Sequence, residues 1–179
     1  MKNHTWEMST LEWGQEGGDG TIVSPEDVAT LLFAENREQA RNAFFIVAGA
    51  VGQNGWVYPC ALTVVKTVLA ALPSCSKAAR FDCLDLVGLI AAARFAPDAP
   101  PVAEECLIEI RHATWYFIWG LQFDDVELAA LYVDILGCLG MGFPDFKATA
   151  EQYLTLALTR DLPDYDIDLV KNTIAELQE

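Results

Sequence analysis

A short helical phrase that closes on a glycine occurs three times, and the spacing of its copies leaves few architectures open. It runs Ala40 through Gly49, again Ala79 through Gly88, and again Leu128 through Gly137, so Gly49, Gly88 and Gly137 lie 39 and then 49 residues apart. A second apolar segment follows each phrase, which makes the repeating unit a pair of helices. Two-helix units with a period of roughly 40 residues cannot bury their apolar faces alone and stack to share a core. The pattern predicts an all-α fold, a right-handed α-α superhelix of about eight helices. Alternation of the kind a strand needs never lasts more than a few residues.

The chain divides into an irregular lead-in, residues 1–23, and one helical domain, residues 24–179. The lead-in carries Gly17, Gly18 and Gly20 and no helical period, and its Trp6 and Trp13 are expected to dock on the first helix. Ser24-Pro25-Glu26-Asp27 reads as a helix start: a serine to cap free N–H groups, a proline at the first turn and acids facing the positive end of the dipole. That helix is expected to reach about Glu35. The first repeat sets Ala40, Ala43, Phe44, Val47 and Val51 on one face, turns at Gly52 to Gly55, and continues from Pro59 with Leu62, Val65 and Leu69 inward. The second opens on Ser76 as a cap and buries Ala79, Cys83, Leu86, Val87 and Ile90. Pro97, Pro100 and Pro101 forbid helix continuation and account for the longer second interval. Then comes the longest predicted helix, about Val102 to Leu121. The third repeat begins at Asp124-Asp125, breaks at Gly140 to Pro144, and resumes to about Thr159. A terminal helix places Ile167, Val170, Ile174 and Leu177 inward and Asp166, Asp168, Lys171 and Glu176 outward.

Charge narrows the function classes. Eleven Lys and Arg against 26 Asp and Glu give a net of −15, which repels phosphate backbones and anionic membrane surfaces and attracts basic ones. Solubility is the competing explanation of that charge. The five cysteines, Cys60, Cys75, Cys83, Cys106 and Cys138, form no CxxC and mostly sit in apolar stretches, as reduced core residues do. No apolar run at the amino terminus resembles a signal peptide, and no stretch is long enough to span a bilayer, so a cytoplasmic location is expected.

Catalytic groups are sparse. With only His4 and His112, a three-histidine metal site cannot be built, and there is no GxSxG, phosphate loop or HExxH. Glu109 and His112 match one Glu-x-x-His element of a helical di-iron site, but the second element is missing. Asp164, Asp166 and Asp168 imitate an EF-hand opening, yet Leu169 and Ala175 stand where the loop needs glycine and glutamate. We therefore expect no enzyme activity, no metal and no cofactor. The candidate partner-binding set is Glu105, Glu109, His112, Tyr116 and Trp119, spaced to share one face of the long helix opposite Val102, Cys106, Ile110, Ala113, Phe117 and Leu121. Carboxylates beside Trp and Tyr suit a partner bearing Lys and Arg; the alternative puts Tyr116 and Trp119 in the core. Trp56 and Tyr58 either join that surface or pack the turn.

Residues 36–160, with the phrase Gln53-Asn54-Gly55-Trp56-Val57-Tyr58-Pro59-Cys60-Ala61 between paired helices and basic residues at Arg41 and Arg80, resemble the HEAT-like α-helical repeat family. Ala129 departs from the pattern in the third unit. Small bacterial members resemble toxin-immunity proteins. The resemblance implies a non-catalytic, cytoplasmic protein that occludes the active site of a cognate, basic toxin domain; DNA-binding members form another branch, and it is the charge that argues against nucleic acid or a membrane as partner. A scaffold or adaptor role in a larger assembly is the alternative it leaves open, and the oligomeric state is not implied either way.

Overall fold

Ser24 starts the first helix through a reciprocal pair of bonds. Its Oγ accepts from the Asp27 N–H at 3.2 Å, while Asp27 Oδ2 accepts from the Ser24 N–H at 2.9 Å and from the Ser24 hydroxyl at 2.7 Å. Such a capping box satisfies two of the four N–H groups a helix start leaves open. In this computed structural model, which describes residues 11–53 and 55–179, nine α-helices follow among the described residues. They are α1 (Pro25–Leu32), α2 (Arg37–Val51), α3 (Cys60–Ala71), α4 (Arg80–Ala92), α5 (Pro101–His112), α6 (Thr114–Phe123), α7 (Ala129–Gly142), α8 (Pro144–Ala157) and α9 (Asp164–Gln178). The fold is all-helical. The one sheet among the described residues is a two-residue hairpin, β1 (Gly52–Gln53) against β2 (Trp56–Val57), which turns through Gly55 at φ +80°. Only a glycine reaches that backbone region without strain.

Two compact units divide the chain, Met1–Glu109 and Ile110–Glu179. In the first, α1 packs on α2, α3 and α4, while α2 and α3 each pack on α4 and on one another. The predicted inner face of α2, from Ala40 to Val51, is buried throughout, as is the set Ala79, Cys83, Leu86, Val87 and Ile90 of the second repeat. Each Val, Leu, Ile or Phe so enclosed contributes about 1.5–3 kcal/mol of transfer free energy. Val65 is buried as expected, whereas Leu62 and Leu69 are only half-buried. Ser76 is expected to cap the second repeat, but its Oγ accepts from the Ala79 N–H at 3.1 Å within the turn before α4, and the helix itself starts at Arg80 with no side-chain cap. The described part of the lead-in, from Leu11, is tied down through its backbone: the Thr63 hydroxyl donates to the Glu12 carbonyl at 2.9 Å, Glu16 bridges Ile22, and Gly17 lies so close to the end of α2 that a Cβ would sit 2.2 Å from the Ala50 oxygen. Trp13 is half-buried; Trp6 lies outside the described residues.

In the second unit α7 is central, packed by α6, α8 and α9. Nine of its fourteen residues are buried, from Ala129 to Gly140, which is why its sequence is apolar on nearly every side. The terminal helix α9 buries Val170 and Leu177 as predicted but leaves Ile167 and Ile174 half-buried. It also corrects one expectation. Asp166 is buried rather than outward, in the first turn of α9, where its N–H donates to the Pro163 carbonyl at 2.9 Å.

The three repeat glycines do not share an environment. Gly49 is exposed and a Cβ there would meet nothing within 4 Å, while Gly137 is buried with a Cβ position 2.7 Å from Thr173 Cγ2. The same residue type closes the phrase for different reasons, one of them a close helix approach and the other not.

Candidate functional site

The long helix expected from Val102 to Leu121 is two helices. Ala113 adopts φ −97°, ψ 11°, its N–H bonds three residues back to the Ile110 carbonyl, and the Thr114 hydroxyl donates to the Arg111 carbonyl at 2.6 Å. A threonine that bonds back onto the preceding turn competes with continued helix. The single face expected for Glu105, Glu109, His112, Tyr116 and Trp119 assumed unbroken helical phase, which continues only as far as His112.

Each candidate therefore stands in its own surroundings. Glu105 is exposed on α5, and Glu109 is half-buried with Lys66 Nζ 3.3 Å from its Oε1. Their charges and, first of all, burial push the Cys106 thiol beneath them up to about 12. His112 is exposed at the end of α5. Tyr116 is not a surface residue: it is buried, edge-on to Trp115 and Phe117 and 6.5 Å from the Tyr132 ring, because α6 turns that side onto α7. Trp119 is exposed as predicted.

Trp119 does not stand alone. Trp115, Trp119 and Phe123, four residues apart on α6, are 65%, 48% and 71% exposed, and the rings of Trp119 and Phe123 lie 6.0 Å apart. Trp115 and Phe123 lie outside the predicted set, because a segment as apolar as α6 offers no polar side against which to set the row. Behind this stripe α6 is clamped in place. Gly120 lets the Tyr132 ring lie against the helix backbone, with a Cβ position only 2.2 Å from Tyr132 Cζ. The Tyr132 hydroxyl donates to Asp124 Oδ2 at 2.8 Å, and burial with that carboxylate beside it drives the phenol's pKa far upward. Arg160 donates to the Leu121 carbonyl and, at 2.7 Å, to the Asp124 carbonyl, two acceptors that the end of α6 leaves open.

The first unit has a second feature, centred on Arg41. Its guanidinium bonds Asp82 at 2.8 Å and Asp85 at 3.0 Å and lies 4.5 and 4.7 Å from the Phe44 and Phe45 ring centres. Those two carboxylates, Asp82 first, hold the Arg41 pKa above its ordinary value. A shallow groove lined by Arg37, Arg41, Ala78, Phe81 and Asp82 runs beside it. Within its wall Arg41 pairs with Asp82, and Arg37 adds a further cation. Trp56 is partly exposed at the hairpin, and the Tyr58 ring packs against Gly18.

Among the described residues no three His, Cys, Asp or Glu side chains come together as a metal ion would need, and no helix is long and apolar enough to cross a membrane. No family model, curated protein or solved structure matches the chain.

Proposed function

We propose that this chain is a non-catalytic protein-binding protein, an immunity protein that neutralises a basic toxin domain in the cytoplasm by covering its active site. The observation that carries the reading is the distribution of charge: the excess of acids is spread over both helical units, a net of −7 up to Glu109 and −8 beyond it. An acidic helical surface suits a cleft built to hold nucleic acid, since both present negative charge to the same basic residues. The resemblance of residues 36–160 to HEAT-like repeats supports a right-handed superhelical stack as the framework.

Co-expression with the product of the adjacent reading frame tests this. Growth rescued by the intact chain, with a one-to-one complex recovered on gel filtration, is the expected result. Continued killing at full expression of both proteins would sink it. A scaffold role has one observation in its favour: the first unit exposes its own apolar side chains, Phe45 and Ile46, at 60% and 59%. On that reading each unit would hold a separate partner, and the contacts would be insensitive to salt.

A further inference from the structure

The outer face of a surface helix is ordinarily polar, because the opposite stripe already supplies the core. Helix α6 breaks that rule. Its inner side, Tyr116, Phe117, Gly120 and Leu121, is buried, and its outer side still carries Trp115, Trp119 and Phe123. Three large rings in one exposed row are the kind of contiguous apolar patch that marks a contact. They are also held ready. The Tyr132 ring seated on Gly120, the Tyr132–Asp124 bond and the two bonds from Arg160 fix the helix from behind, so little ordering remains to be done on binding.

Charge says what fits there. Residues 110–179 hold 12 Asp and Glu against 4 Lys and Arg. Two of those four are engaged at home: Arg111 pairs with Asp145 and lies 4.4 Å from the Phe143 ring centre, and Arg160 serves the carbonyls of α6. Just past the stripe come Asp125 and Glu127, both exposed. Indole faces in a negative field attract cations twice over, through the ring quadrupole and through the surrounding carboxylates. We infer that the Trp115–Trp119–Phe123 face of α6 docks a protein segment in which Lys or Arg side chains alternate with apolar ones, the cations lying over the indoles and the apolar side chains against Phe123. This rests on the reading of the chain as a binder of a basic protein and assigns that contact to one helix.

The test uses the full chain and three labelled peptides: one of Leu and Lys at helical spacing, one with Glu in place of Lys, and one with Ser in place of Leu. Fluorescence anisotropy should show the Leu/Lys peptide binding at least about tenfold more tightly than either counterpart. The triple variant Trp115→Ala, Trp119→Ala, Phe123→Ala keeps every charge, and its exposed positions leave the core intact. It should lose about tenfold or more in affinity with an unchanged melting temperature. Equal binding by the variant would overturn the assignment to α6 while the acidic-binder reading stands. No preference for the Leu/Lys peptide in the parent chain would remove both. Sedimentation in which the parent dimerises and the variant does not, or binding of the parent to phosphatidylcholine vesicles, would equally overturn the inference, giving the face to a second copy or to lipid.

Discussion

Gly120 and Gly49 are both glycines inside helices, and their surroundings predict opposite outcomes for the same substitution. Alanine gains about 1 kcal/mol over glycine in a helix interior, all else equal. At Gly49 nothing stands within 4 Å of the new Cβ, so Gly49→Ala should raise stability by about 0.5–1 kcal/mol. At Gly120 the Cβ would lie 2.2 Å from a fully buried Tyr132 ring, so Gly120→Ala should cost about 1–3 kcal/mol despite its better propensity. Urea titration of the two variants reads both signs, and a stabilised Gly120→Ala would show that α6 is not seated on Tyr132. The thiols make a second prediction at this scale. Burial holds Cys106 and Cys138 up at about 12 in the folded chain, against an ordinary 9.0. Above about pH 9 the unfolded chain sheds these protons while the native one keeps them, so the native state binds more protons and stability falls as pH rises. Melting temperature should be flat with respect to these groups below pH 9 and decline from there toward 12. Cys106→Ala and Cys138→Ala, whatever their starting stability, should each make that alkaline slope shallower; an unchanged slope in both would assign it elsewhere.

At the scale of an element, α6 depends on a side chain from beyond α8. Arg160 supplies two donors to part-buried carbonyls at the end of α6, and losing such a pair of bonds costs about 1–3 kcal/mol. Arg160→Ala should therefore destabilise the chain by about that much, and Arg160→Lys should recover little of it, since an ammonium cannot span two acceptors with the geometry of a guanidinium. Full recovery by lysine, read from thermal melts, would mean that charge alone is at work. The same element shows where sequence reading stops. A cap and a one-sided face were legible: Ser24 with Asp27 and the stripe from Ala40 to Val51 each have a single local cause. The α6 segment, Thr114 to Phe123, is apolar apart from Thr114 and Gln122, so periodicity offers little face to choose. Which ring turns inward is decided by Gly120 and Tyr132, residues of two helices. The break at Ala113 was hidden for a related reason, since alanine is a good helix former and the bond that interrupts the helix comes from Thr114. Burial of Asp166 escaped too, because local grounds place a carboxylate in a first turn in solvent and nothing near it in sequence signals otherwise.

For the whole molecule, fifteen carboxylates have no basic counterpart, and self-repulsion of that size works against the compact state. Salt acts on two opposed populations of interactions. It weakens the ion pairs, of which Lys66–Glu109, Arg94–Glu104 and Arg111–Asp145 are open to solvent at both ends and contribute about 0–1 kcal/mol each. It also screens repulsion across the whole surface, as the Debye length shrinks from roughly 30 Å at 0.01 M to 8 Å at 0.15 M. The Arg41–Asp82 pair, with one end buried, is screened least. Repulsion is the larger and more distant of the two, so it loses more. Sodium chloride over that range should raise the melting temperature by about 2–4 °C, equivalent to roughly 1 kcal/mol for a chain of this size. Chloride is the salt to use, because sulfate would add a stabilisation unrelated to charge. Affinity for a basic partner should move the other way over the same range, since the field that strains the fold is the field that draws the partner. A melting temperature that falls with salt would mean the exposed ion pairs outweigh the net charge, and the acidic surface would then be a stabilising network rather than a strained one held in readiness for a cationic ligand.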